Sequence, residues 1–151
     1  MKIAVVHGAN LNLLGERDPE KYGKYDIETI NNSLQEEFPD IEFTFFQSNS
    51  EGKIVDFLQS IRSSGYHLVI NPGGYAHTSV VIRDALELFS GIKVEVHLSH
   101  LALRESFRQN LITATACDGY ISGFKAEGYL AAVYLIRRIE GTKRHDQSIN
   151  I

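Results

Sequence analysis

Short apolar runs alternate with longer amphipathic stretches five times along the chain, the arrangement expected of a parallel sheet covered by helices on both faces. Lys2–His7, Ile41–Gln47, His67–Asn71, Lys93–His97 and Gly119–Ser122 read as strands. Between them, Asp26 reads as the N-cap of a helix from about Ile27 to Phe38, closed by Pro39. Ser50 caps a second helix, in which Ile54, Phe57, Leu58 and Ile61 recur at helical spacing before Gly65 stops it. A third runs from about Thr78 to Phe89. A closing helix from Ala126 to Ile139 is expected to turn Tyr129, Leu130, Val133, Leu135 and Ile136 toward the core. Residues 1–140 then form one domain, and 141–151 form a polar, basic tail expected to fray.

Strands and connections in this order predict an α/β, flavodoxin-like three-layer fold with a five-stranded parallel sheet. Ligands of such sheets bind outside the carboxyl ends of the strands. Asn10, Asn71, His77, His97 and Ser99 all fall at or just past those ends, whereas the opposite edge offers little beyond His67. That asymmetry places a site before any chemistry is considered.

The first of these ends carries His7 to Gly23, part of a connection of about 18 residues without periodicity, a length uncommon in compact domains unless functional or disordered. Leu11, Leu13, Leu14, Tyr22 and Tyr25 make it too apolar for a solvated tail, and Asn10, Asn12, Arg17 and Asp18 suit a polar ligand. An ordered, mobile lid fits both halves.

With 43% apolar and 23% charged residues the chain is an ordinary globule. A net charge of −4 and the lack of a basic stripe interleaved with aromatics argue against nucleic acid, so an anionic ligand must be held by a local arginine cluster. No apolar run approaches a membrane span, and Met1-Lys2-Ile3 runs straight into a strand, so a cytoplasmic location is expected. Cys117 stands alone and reads as a packed thiol.

Arg17 and Tyr22 share the lid. A tyrosine ordinarily keeps its proton to a pH of ~10, and service as a base at neutral pH needs about 4 kcal/mol of stabilisation of its anion, part of which a neighbouring guanidinium supplies. The pair reads either as a phenolate general base held ionised by Arg17 or as a surface arginine beside a packed tyrosine. Glu95 and His97 alternate on a strand and so share a face. They are a general-acid pair or a buried histidine satisfied by a structural carboxylate. His97 and His100 lack a third metal ligand, and no metal is expected. Asn71-Pro72-Gly73-Gly74 lacks the Lys-Ser/Thr of a P-loop, so no nucleotide cofactor is expected. Arg104 and Arg108, four apart, form a carboxylate clamp on one helical face or merely a solvated one.

Taken together, the motifs resemble the type II 3-dehydroquinate dehydratases over about Lys2 to Ile139. They are Gly8-Ala9-Asn10-Leu11-Asn12-Leu13-Leu14-Gly15, Glu16-Arg17-Asp18-Pro19 with Tyr22-Gly23, Gln47-Ser48-Asn49-Ser50-Glu51-Gly52, Asn71-Pro72-Gly73-Gly74 with His77-Thr78-Ser79, Arg83-Asp84, Glu95-Val96-His97-Leu98-Ser99, and Arg104-Glu105 with Phe107-Arg108.

The resemblance implies a cofactor-free and metal-free enzyme that removes water from 3-dehydroquinate to give 3-dehydroshikimate, for shikimate biosynthesis or quinate breakdown. It implies Tyr22 as proton acceptor, Arg17 as stabiliser of the charged transition state and His97 as proton donor to the departing hydroxyl. Asn71, His77, Leu98, Ser99 and Arg108 match substrate-binding positions, and Asp84 matches one that reaches a neighbouring subunit. Asn10 and Glu95 match supporting positions, and a homo-oligomer, a dodecamer of trimers, is implied. His7 stands where the family usually has Asn, Ala9 for Pro, His100 for Asn, Ala102 for His and Lys125 for Gly. None removes a residue assigned to proton transfer. The competing readings are a hydro-lyase for a related cyclic hydroxy-ketone acid and a non-catalytic binding module on the same fold. A type I dehydroquinase, with its larger barrel and Schiff-base lysine, is excluded by size.

Overall fold

In a computed structural model, which describes residues 1–149 and the side chains of 1–143, five parallel strands form one sheet in the order β2-β1-β3-β4-β5. The strands are β1 (Lys2–His7), β2 (Glu42–Gln47), β3 (Tyr66–Asn71), β4 (Lys93–His97) and β5 (Gly119–Ser122). The helices are α1 (Pro19–Tyr22), α2 (Ile27–Glu37), α3 (Glu51–Ile61), α4 (Val80–Glu87) and α5 (Glu127–Ile149). The flavodoxin-like arrangement read from the pattern is the one found, with β1 and β3 at the point where the strand order reverses.

Both faces of the sheet are covered because both sets of alternating side chains are apolar. Ile3, Val5, Val69, Val94 and Val96 point into one core, with Leu34 of α2 and Tyr129, Val133 and Ile136 of α5. Ala4, Val6, Leu68 and Ile70 point into the other, with Ile54 and Leu58 of α3 and Ile82 and Leu86 of α4. Each such buried aliphatic contributes about 1.5–3 kcal/mol. The caps are as expected: Asp26 Oδ1 accepts from Thr29 N at 2.9 Å, and Ser50 Oγ from Lys53 N at 3.3 Å. Burial pushes the Cys117 thiol up to about 12, as suits a packed thiol.

Three expectations are corrected. The third helix begins at Val80, because the Ser79 hydroxyl accepts from Ile82 N at 3.0 Å and so caps it two residues later than expected. Leu135 is exposed, since a residue two positions beyond the buried Val133 lies on the far side of a helix. The closing helix ends not at Ile139 but at Ile149. Gly141 within it costs only about 1 kcal/mol relative to alanine. Residues 150 and 151 of the expected tail lie outside the described residues.

The long first connection is ordered by its apolar side chains. Residues Leu11–Glu16 form 3-10 turns whose Leu11 and Leu14 are buried in the core beneath α2. After them α1 starts at an Asp18 cap and ends at Gly23, where φ is +85°. Lys125, which stands where the family commonly has glycine, has φ +53°, the left-handed region that glycine enters without cost. Its side chain lies over Gly23. Among the described residues no helix is long and apolar enough to cross a membrane.

Two predictions follow from the packing around β1. A Cβ on Gly8 would lie 2.2 Å from the carbonyl oxygen of Pro72, a backbone atom with nowhere to go. Gly8→Ala is expected to destabilise the fold by about 2–3 kcal/mol, read as a lower urea midpoint; an unchanged midpoint would refute the close approach. Burial also lowers the His7 imidazole from 6.5 to about 4, against the raising effect of its Asn31 bond. Between those values the unfolded chain takes up a proton that the folded chain does not, so stability falls as pH drops through the window, by about 3 kcal/mol in all. Unfolding midpoints from pH 7 to 4 should show this loss, and His7→Asn should reduce it.

Candidate active site

The carboxyl ends of β1, β3 and β4 open into one cleft, roofed by the lid and lined by Arg17, Tyr22, Asn71, His77, His97 and Arg108 among others. The cleft therefore lies at the edge that the distribution of polar residues marks out, beside the β1/β3 crevice. The single turn of α1 carries Tyr22 back over Arg17. Arg17 Nη2 donates to Tyr22 Oη at 2.6 Å, and the guanidinium carbon stands 3.8 Å from the centre of the phenol ring. A second guanidinium, that of Arg104, lies 5.3 Å from the same ring.

Opposite the phenol, His97 Nε2 donates to Glu95 Oε2 at 2.7 Å, and both side chains are buried. The Thr113 hydroxyl donates to the other carboxylate oxygen of Glu95. With both oxygens engaged and Nε2 committed, Nδ1 is the His97 nitrogen that can serve the cleft. His77 Nδ1 donates to the carbonyl of Asn110 at 3.0 Å, and its ring lies 6.1 Å from that of His97. Burial holds the His77 imidazole below its ordinary range. The Asn110 carbonyl opposes this, and the charges of His97 and Arg108 reinforce it.

Arg108 is steadied by Glu105, its Nε donating to Oε2 at 2.7 Å, while Glu105 lies 3.4 Å from Arg104 Nε. Arg104 Nη1 donates to Ser99 Oγ at 2.8 Å. Its Nε is buried without a hydrogen bond, for the Glu105 contact has the distance of an ion pair but not the direction of a bond. The two arginines do not share a helical face as expected. Arg108 lies on the 3-10 turn Ser106–Gln109, whereas Arg104 is extended, just past the 3-10 turn Leu101–Leu103. Both nonetheless reach the cleft. Three arginines with their one carboxylate partner on the rim make it a receptor for an anion.

Of the residues marked out from the sequence, Arg17, Tyr22, Asn71, His77, His97, Leu98, Ser99 and Arg108 line the cleft. Glu95 stands behind His97. Asn10 adopts φ +70°, its N–H donates to Asn49 Oδ1 at 2.9 Å, and it lines a separate surface hollow next to Arg17. Asp84 is on the outer face of α4, 3.7 Å from Arg83, away from this chain's own cleft. Sequence reasoning missed Thr113, the apolar walls Leu11 and Leu101, and the position of Arg104 against Tyr22. No local signal identifies the first three, whereas an arginine four residues before Arg108 was visible as a clamp. Among the described residues no group of three or more His, Cys, Asp and Glu is placed to hold a metal ion.

Comparison with known proteins places nearly the whole chain in a family. The family model described as dehydroquinase class II matches residues 1–137. The 3-dehydroquinate dehydratase of Carboxydothermus hydrogenoformans is 45% identical over 148 residues, covering 97% of this chain and 95% of that one. The 3-dehydroquinate dehydratase of Thermotoga maritima is 46% identical over 140 residues, covering 91% and 96%. The crystal structure of type II dehydroquinase from Butyrivibrio crossotus superposes with a TM-score of 0.87 at 40% identity, covering 91% of this chain and 97% of that one. A match of this extent in both sequence and fold, joined to a cleft with Arg17, Tyr22 and His97 around one space, leads to one conclusion: the chain belongs to the class II dehydroquinase family.

Proposed function

We propose that this enzyme dehydrates 3-dehydroquinate to 3-dehydroshikimate through an enolate, with Tyr22 as base and His97 as acid. The observation that carries the reading is the Arg17–Tyr22 contact of 2.6 Å in the same cleft as the Glu95-held His97. A cationic donor aimed at the phenol oxygen favours negative charge there. The Tyr22 phenolate takes the proton from the carbon next to the ketone, and the C–H electron pair passes into the enolate. As the enolate collapses, the C–O bond two carbons away breaks and the leaving hydroxyl takes a proton from His97, departing as water. A C=C bond conjugated with the ketone remains. Atoms and electrons balance with no change in oxidation state, so no redox partner enters.

Arg17 contributes charge stabilisation at the developing enolate as well as at the phenolate. Asn71, His77, Leu98, Ser99 and Arg108 hold the substrate, with Arg108 and Arg104 attracting its carboxylate. Asn10 supports the lid side of the site and Glu95 holds the His97 ring. Lid closure keeps water from the enolate. The product is an intermediate of the shikimate pathway, and the same reaction serves quinate breakdown.

A homo-oligomer, assembled as trimers into a dodecamer, is part of the proposal. Val80 and Val81 on α4 and Leu88 at its C-cap are 57%, 49% and 64% exposed, an apolar face that suits another copy of the chain. Asp84 on that helix is then carried toward a neighbour's cleft.

Two experiments test these statements. Incubation with 3-dehydroquinate should raise the ultraviolet absorbance of the enone product, and Tyr22→Phe should abolish turnover while leaving ligand affinity nearly intact. No absorbance rise at any pH from 6 to 9 would reject the reading, and retained activity in the variant would require another base. Sedimentation should give twelve times the 17.0 kDa chain mass, and a monomer would overturn the assembly.

A further inference from the structure

Behind Asn71 lies a chain of buried polar groups that the mechanism above does not use. Gly73 N donates to Asn71 Oδ1 at 3.1 Å, and Asn71 Nδ2 donates to Tyr129 Oη at 3.1 Å. The same Tyr129 Oη lies 3.1 Å from His7 Nδ1, and His7 Nε2 lies 2.9 Å from Asn31 Oδ1. His7 and Tyr129 have no solvent exposure, and Asn71 is buried apart from its access to the cleft.

The direction of every bond follows from one backbone group. The N–H of Gly73 can only donate, so it must meet the oxygen end of the Asn71 carboxamide. The nitrogen end therefore faces Tyr129 and donates to the phenol oxygen. That leaves the Tyr129 hydroxyl hydrogen to be given to His7 Nδ1, so Nδ1 carries the lone pair and Nε2 carries the hydrogen. Nε2 in turn requires an oxygen, and Asn31 Oδ1 is there. Any flip of Asn71 or change of His7 tautomer sets two donors or two acceptors against each other. Burial lowers the His7 imidazole to about 4 and raises the Tyr129 hydroxyl well above its ordinary value, so both are neutral at pH 7, as this polarity needs.

We propose that His7 and Tyr129 are positioning residues that lock the Asn71 carboxamide in a single orientation. One N–H and one lone pair of that group are thus presented to the hydroxyl groups of the bound substrate. The inference rests on the proposed function, in which Asn71 contacts the substrate. It assigns a purpose to two buried polar side chains whose places an apolar pair of similar size would otherwise fill. An asparagine at position 7 would offer an acceptor at about the same reach from its Cβ as Nδ1, the atom that Tyr129 uses.

The test is steady-state kinetics on 3-dehydroquinate with Tyr129→Phe, His7→Leu, their double variant and His7→Asn. Tyr129→Phe keeps the ring in the core and removes only the hydroxyl. Its KM is expected to rise about tenfold with kcat changed less than about threefold, the scale of one lost buried hydrogen bond. The double variant should be no worse than the poorer single one, because the groups act in series. His7→Asn should bring KM back to within about twofold of the wild type. Unchanged KM in Tyr129→Phe, or additive losses in the double variant, would overturn the proposal, and Tyr129→Phe decides the matter even if His7→Leu does not fold. Side-chain amide NMR of Asn71 separates this from failure of the functional reading. If the wild-type enzyme leaves dehydroquinate unchanged, that reading fails. The relay still predicts slow exchange of one Asn71 carboxamide proton, lost in Tyr129→Phe, and fast exchange in the wild type would refute it.

Discussion

The parallel pairing of β1 with β3 is the constraint on which the rest of the molecule depends. It sets His7 opposite Asn71 in register, and Gly8 N donates to the carbonyl of Asn71 at 2.7 Å. The chain leaves these two strand ends in different directions: from β1 into the lid, and from β3 into the Pro72-Gly73-Gly74 turn. A crevice between diverging loops is the geometric result, and a parallel sheet supplies it at the one place where its strand order reverses. Gly8 keeps the crevice tight because no Cβ fits against Pro72.

Charge is then distributed within the crevice by very different means on its two sides. On the lid side, guanidinium groups surround a phenol that is only partly buried, so these cations act close to solvent. On the sheet side, a carboxylate and an imidazole are taken almost fully out of water, and they survive because Thr113 and His97 satisfy both oxygens of Glu95. Two groups whose environments differ this much are suited to opposite proton-transfer roles. Their separation across one cleft is a property of the fold, since they come from opposite flanks of the switch point.

The lid illustrates how stability and function share residues. Leu11 and Leu14 belong to the main core, so the foot of the lid unfolds only with the domain. Beyond Gly15 the segment has no fully buried side chain until Ile30. The part that carries Tyr22 is therefore held mainly by contacts around Arg17, Tyr22 and Lys125 rather than by burial. Such a division permits local movement of the tip without cost to the sheet.

Much of this was legible in the chain itself. The succession of strands and helices, the caps at Asp26 and Ser50, the polar residues at the strands' carboxyl ends and the shared face of Glu95 and His97 all follow from local pattern. Residues two apart on a strand or three apart at a helix start are neighbours whatever the rest of the chain does. The tertiary structure alone decided which nitrogen of His97 serves the cleft, which end of Asn71 faces Tyr129, that Arg104 reaches the Tyr22 ring, and that Lys125 adopts a left-handed backbone. It also decided that α5 outruns its apolar stripe. Each of these depends on groups far apart in sequence, or on a turn whose shape is set by what it packs against. Pattern carries no distance between such groups, whereas sheet register and side-chain packing set it to within a hydrogen bond.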